Sequence, residues 1–124
     1  MEIEDNDDDF DAANVQYTYY IWVDTDYYYG EADVYVYDYS GGSLGDLLWS
    51  EYPSSSSMEL LGSITAGDVY VYGTDSWGDG FGTVYVTDSD ATILASFAVT
   101  GSSNGVILYA TDYVAGVWND ADEN

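Results

Sequence analysis

Between Val69 and Val86 the chain reads VYVYGTDSWGDGFGTVYV, and the carboxylates of Asp75 and Asp79 stand four residues apart in a stretch that also holds Gly78, Gly80 and Gly82. Glycine takes positive φ readily, so such a loop can fold back and turn both carboxylates inward. The chemistry this suits is the binding of a hard cation. Ca²⁺ takes about six to eight oxygens from carboxylates, backbone carbonyls and water. The spacing is not that of an EF-hand loop. The same aspartates could instead cap turns by accepting hydrogen bonds from nearby N–H groups.

Most catalytic chemistry lacks its raw materials. The chain has no His, Cys, Lys or Arg, so the usual nucleophile–base pairs, a Schiff-base lysine and a phosphate clamp cannot be built. Paired carboxylates can hydrolyse glycosides, but a chain this rich in acids offers such pairs by accident. The expectation is a protein that is not an enzyme.

The same inventory sets the electrostatics. The chain of 124 residues carries 24 acidic and no basic side chains, a formal net charge of −24. No side-chain salt bridge can form, so each carboxylate must be solvated, accept hydrogen bonds or bind a metal ion. Self-repulsion opposes both compaction and association at low ionic strength, and divalent cations should offset it. Nucleic-acid binding needs cationic side chains to displace phosphate counterions, so nucleic acid is excluded as a partner. No stretch is long and apolar enough for a membrane span. The N-terminal MEIEDNDDDFD shows neither the basic region nor the apolar run of a signal peptide.

The elements that must position the loop are strands. Val69, Val71, Val84 and Val86 fall on one face at period two, with Tyr70, Tyr72 and Tyr85 on the other, which predicts a β-hairpin around the loop. Residues 16–23 alternate densely in aromatics and predict a strand covered on both faces. A further strand is predicted over 32–39, with Val34 and Val36 opposed to Tyr35, Tyr37 and Tyr39. Others are expected over 58–65, 92–99 and 106–111, the last two separated by the loop GSSNG. About eight short strands, regular turns and no amphipathic helix predict an all-β fold, an antiparallel β-sandwich of jelly-roll-like type. The expected organisation is an acidic N-terminal arm over 1–14, a sandwich domain over 15–112 and a C-terminal tail over 113–124.

The central loop, Asp75-Ser76-Trp77-Gly78-Asp79-Gly80-Phe81, followed by Asp88-Ser89-Asp90 and Leu94-Ala95-Ser96, resembles the D-S-[WY]-G-D-G-[WF] loop and its following turn and strand in a β-sandwich module of secreted and cell-surface proteins. The segment Thr25-Asp26-Tyr27-Tyr28-Tyr29-Gly30-Glu31 looks like a variant of that module's opening T-x-D-x-Y-x-x-E loop. The similarity spans roughly Tyr20 to Asp112. Ala91 departs from it, standing where a turn glycine is usual, and the Cys pairs of some members are absent. The resemblance implies an extracellular or cell-surface location and an accessory or adhesive role. It also brings the opening loop to the central one, so that Asp26 and Glu31 would join Asp75 and Asp79 around a structural Ca²⁺, as direct ligands or behind them.

If the valines face a core, Tyr35, Tyr37, Tyr70, Tyr72 and Tyr85 point outward, and so large an aromatic surface calls for a cover. Three covers are open: a neighbouring copy of the chain, a polysaccharide stacked on the rings, or cross-strand packing among the tyrosines themselves. The segments 10–23 and 113–118 are candidates for strand exchange into a neighbour's sheet edge, or for packing on their own sandwich. The expected function is that of an extracellular structural subunit, assembling with itself into a filament or surface layer with the help of cations. The alternative is a calcium-dependent carbohydrate-binding or adhesion module.

Overall fold

The structure is a computed structural model that describes residues 15–26 and 29–114. Eight strands run through these residues: β1 (Tyr17–Thr25), β2 (Ala32–Asp38), β3 (Leu47–Glu51), β4 (Met58–Ala66), β5 (Val69–Asp75), β6 (Gly82–Thr87), β7 (Ile93–Val99) and β8 (Ser103–Leu108). Helical structure is limited to 3₁₀ turns at Tyr29–Glu31, Ser40–Gly42 and Ala110–Asp112. None of the described helices is long and apolar enough to cross a membrane.

The strands form two four-stranded antiparallel sheets, in the orders β4-β1-β6-β7 and β3-β2-β5-β8. This is the all-β, antiparallel sandwich that the alternating pattern predicts. Period-two burial builds the core from both sheets. Tyr19, Ile21, Val23, Val84 and Val86 meet Val34, Val36, Val69, Val71 and Leu108 across the interface, all fully or almost fully buried. Fully burying one such aliphatic side chain contributes about 1.5–3 kcal/mol. Apart from Gly105 and Ile107 of β8, the outer residues of the same strands are polar or aromatic.

The predicted hairpin at the central loop does not form. Both arms turn their valines inward as the alternation requires, but β5 pairs with β2 and β8, while β6 pairs with β1 and β7. Residues 76–81 carry the chain from one sheet to the other. Period two specifies which face is buried and not which strand is the neighbour, so two inward-facing valine strands read alike in either arrangement. Phe81 makes the crossing. Its ring is fully buried, beneath Gly73 of β5, where an added Cβ would lie 3.2 Å from Phe81 Cζ and 3.0 Å from Val99 Cγ2.

Two further expectations change, and a third is narrowed. The aromatic strand β1 is central in its sheet, but among the described residues its outer face is only partly covered: Tyr20 and Trp22 are half-buried, and Trp22 Nε1 donates to Thr87 Oγ1 at 2.9 Å. The last strand starts at Ser103, inside the expected GSSNG loop, and ends at Leu108. Gly105 sits in that strand because the Tyr70 ring lies over it, so that a Cβ would fall 2.5 Å from Tyr70 Oη and 2.6 Å from Cζ. Of the two segments considered for strand exchange, residues 17–23 lie within β1, paired with β4 along their length and with β6 from Tyr20 onward. Tyr113 packs against Tyr17 and Tyr19, with ring centroids 5.5 and 6.3 Å apart. The rest of those segments, residues 10–14 and 115–118, lies outside the described residues.

Candidate metal centre

At one end of the sandwich, β2 begins and β5 ends side by side, Ala32 paired with Asp75. Asp75 follows Val69, Val71 and Gly73 on the inward face, so its side chain is aimed at the core at the point where the strand stops. It is only 4% exposed. Its Oδ1 accepts the Trp77 N–H at 2.9 Å, and its backbone carbonyl accepts the Gly78 N–H at 3.1 Å. Those bonds are the turn-capping role open to an aspartate here, and they use one carboxylate oxygen of two.

The other oxygen, Oδ2, is buried with no hydrogen-bond partner, and so is Oε1 of Glu31. Glu31 closes the 3₁₀ turn before β2, and its carbonyl accepts the Ser76 N–H at 3.0 Å, which holds that turn against the crossing loop. One carboxylate oxygen each from Glu31, Asp75 and Asp79 lies within 4.8 Å of the others. An unpaired buried polar oxygen is costly, and three carboxylates converging without a cation are costlier. Burial raises the Glu31 carboxyl above the ordinary glutamate range; hydrogen bonding and like charge from Asp75 add to this, and so does like charge from Asp79 and Asp26. Without an ion, a proton on Glu31 donated toward Asp75 is the available relief.

The surrounding backbone is tightly fixed. Asp75 N donates to Ser102 O at 2.8 Å, Phe81 N to Val99 O at 3.0 Å and Asp26 N to Phe81 O at 2.9 Å. Gly78, Gly80 and Gly82 all have positive φ, of 79°, 91° and 135°. At Gly80 a Cβ would fall 2.6 Å from Val99 O, and at Gly82 it would run into the Asp24 carbonyl, so the loop can cross between sheets only where these side chains are absent.

This arrangement fits a divalent cation. Two oxygens on one ion are separated by at most twice the metal–oxygen distance, about 5 Å for Ca²⁺ and about 4.2 Å for Mg²⁺. Oxygens within 4.8 Å of one another lie inside the Ca²⁺ limit. Glu31, Asp75 and Asp79 would hold the ion, with backbone carbonyls and water supplying the remaining oxygens. Of the four acids expected from the sequence, three converge. Asp26 is tied to the loop through its backbone but is not one of the converging three.

The five tyrosines divide. Tyr35, Tyr37, Tyr70 and Tyr72 form one cluster on the outer face of the β3-β2-β5-β8 sheet, where Tyr35 pairs with Tyr72 and Tyr37 with Tyr70. Ring centroids are 6.2 Å apart for Tyr35–Tyr37, 6.3 Å for Tyr35–Tyr72 and 5.5 Å for the stacked Tyr70–Tyr72 pair. All four are half-buried, largely against one another. Tyr85 stands on the outer face of the opposite sheet, paired with Trp22, because its strand belongs to that sheet.

One side chain escaped the sequence reading. Trp77, in the crossing loop between Asp75 and Asp79, is 76% exposed, the most exposed large apolar side chain among the described residues. The available signal was its place in a Gly-Asp loop, outside the alternation of the strands on either side. No family model matches this chain, and neither a curated protein nor a solved structure shows significant similarity to it.

Proposed function

We propose that this chain is an extracellular structural subunit, a non-enzymatic β-sandwich whose crossing loop is locked by Ca²⁺ and which assembles with copies of itself. The observation that carries the reading is the pair of buried, unpartnered oxygens on Glu31 and Asp75, facing Asp79 in a chain that has no cationic side chain of its own. A bound ion would join the start of β2, the end of β5 and the crossing loop, a role that disulfides fill in many small secreted domains.

Self-assembly is supported by where the charge is absent. By strand register, each outer sheet face carries one carboxylate within its strands, Asp24 on one and Asp33 on the other; the other described acids lie in loops, at strand ends or on edge strands. The face holding Tyr85 also has a shallow groove of about 170 Å³ lined by Trp22, Met58, Tyr85, Thr87, Ala91 and Ile93. For two copies carrying this much negative charge, such faces oppose close approach least.

Electron microscopy and sizing of the chain, after chelation and again with millimolar Ca²⁺, test the proposal. Regular assemblies that form with Ca²⁺ and disperse on chelation are expected. Monodisperse single chains under both conditions would overturn the assembly reading.

A further inference from the structure

The proposed ion site has an incomplete shell, and Trp77 is joined to it through its backbone. Glu31, Asp75 and Asp79 each bring one carboxylate oxygen into the cluster, three oxygens where Ca²⁺ takes about six to eight. Asp75 is buried beneath the loop while Asp79 is exposed, so the incomplete part of the shell faces solvent at Asp79. Two residues before Asp79, the Trp77 indole projects into solvent, and its backbone N–H is held by the other oxygen of the ion-facing Asp75 carboxylate. A large aromatic left exposed on a backbone fixed this firmly is poised for contact with a ligand.

From this corner we infer a carbohydrate-binding site for neutral polysaccharides: adjacent hydroxyls of one sugar ring complete the shell of the bound Ca²⁺ while the ring's apolar face lies against Trp77. The inference rests on the ion site proposed above. Neutral sugars are favoured because a chain with a net charge of −24 and no basic side chain repels uronates and sulfated glycans. The tyrosine cluster is a poorer platform. Its rings stack and tilt against one another and cover their own faces, whereas the Trp77 ring is free of any such partner among the described aromatic contacts.

The test is affinity electrophoresis and calorimetry with a panel of neutral polysaccharides, comprising a mannan, a galactan, a β-glucan and an α-glucan, in millimolar Ca²⁺ and in chelator. At least one polysaccharide should retard the chain in Ca²⁺ and not in chelator. Trp77→Ala should weaken that retention about tenfold or more while leaving Ca²⁺ affinity within about twofold, since the indole is exposed and the bond to Asp75 comes from the backbone N–H, which alanine keeps. Ca²⁺ binding without retention on any member of the panel would overturn the glycan site and leave the ion site standing. Absence of Ca²⁺ binding would overturn both. Retention that survives chelation or Trp77→Ala would also overturn the inference, by placing the sugar elsewhere.

Discussion

Glu31 and Asp75 face each other as carboxylates in a place where one ionised group would be tolerable and two need a counter-charge. Because its carboxyl is raised, Glu31 keeps its proton to higher pH in the folded chain than in the unfolded one. Its contribution to the stability of the metal-free protein is therefore greatest below the ordinary glutamate range and is lost as pH rises through the raised folded value. Asp33, raised by burial, acts in the same direction. Glu59 acts oppositely: the Ser54 N–H and hydroxyl, at 2.9 and 2.8 Å, hold its carboxyl low, so its contribution is lost on acidification. The melting temperature of the chelated chain should fall as pH rises from the acidic range toward neutrality, and Glu31→Gln should flatten that slope. In saturating Ca²⁺ the slope should reverse, because the ion binds the ionised trio. An unchanged slope in Glu31→Gln would show that Glu31 is not the group responsible. A second residue carries ordinary backbone strain: Ala91 has φ 66° in the turn that Asp88 organises by accepting the Asp90 and Thr92 N–H groups at 2.8 and 2.9 Å. Ala91→Gly should stabilise the chain by about 1 kcal/mol, read from chemical denaturation.

Among the elements, the crossing from β5 to β6 bears most directly on the site, since it carries Asp79 and follows Asp75, two of the acidic trio. Gly82 permits it, with its positive φ and its backbone against Asp24. Gly82→Ala should cost about 2 kcal/mol or more and lower Ca²⁺ affinity with it, measured by denaturation and calorimetry on the same variant. The tyrosine cluster gives a cleaner pairwise test. Gly105→Ala should cost about 1–3 kcal/mol in the parent chain by displacing the Tyr70 ring, and under about 0.5 kcal/mol in a Tyr70→Ala background. These two glycines also show what was legible in advance. The inward face of each strand could be read from alternating valines, as could the sandwich class, and the Gly-Asp loop pointed to the right residues for a cation. Strand partners could not be read, since an inward-facing valine strand looks the same whichever sheet it joins, and that is why the hairpin expectation failed and Tyr85 left the other four tyrosines. Gly105 read as loop because a glycine excused by a ring on the neighbouring strand carries no local mark. Convergence of Glu31 with Asp75 came from the likeness of two loops to a known module, and the pairing of Ala32 with Asp75 is what brings it about.

For the whole molecule, the governing quantity is a net charge of −24 that no internal cation offsets. Two effects of added cations follow and can be separated. Diffuse screening shortens the Debye length from about 30 Å at 0.01 M salt to about 8 Å at 0.15 M, so NaCl should raise the melting temperature of the parent chain and of Asp75→Asn alike. Site binding should instead require Asp75. The most direct measurement is a calorimetric titration of Ca²⁺ into the chelator-treated chain and into Asp75→Asn, both held at 0.15 M NaCl, with the melting temperature of each recorded before and after. The account predicts saturable binding and a raised melting temperature in the parent. In Asp75→Asn it predicts no saturable binding, in a folded chain whose metal-free stability is equal to or above the parent's, since one of the crowded charges is gone. Equal binding by the two chains, or no saturable binding by the parent, would contradict it and leave the acidic trio as nothing more than part of a negatively charged surface.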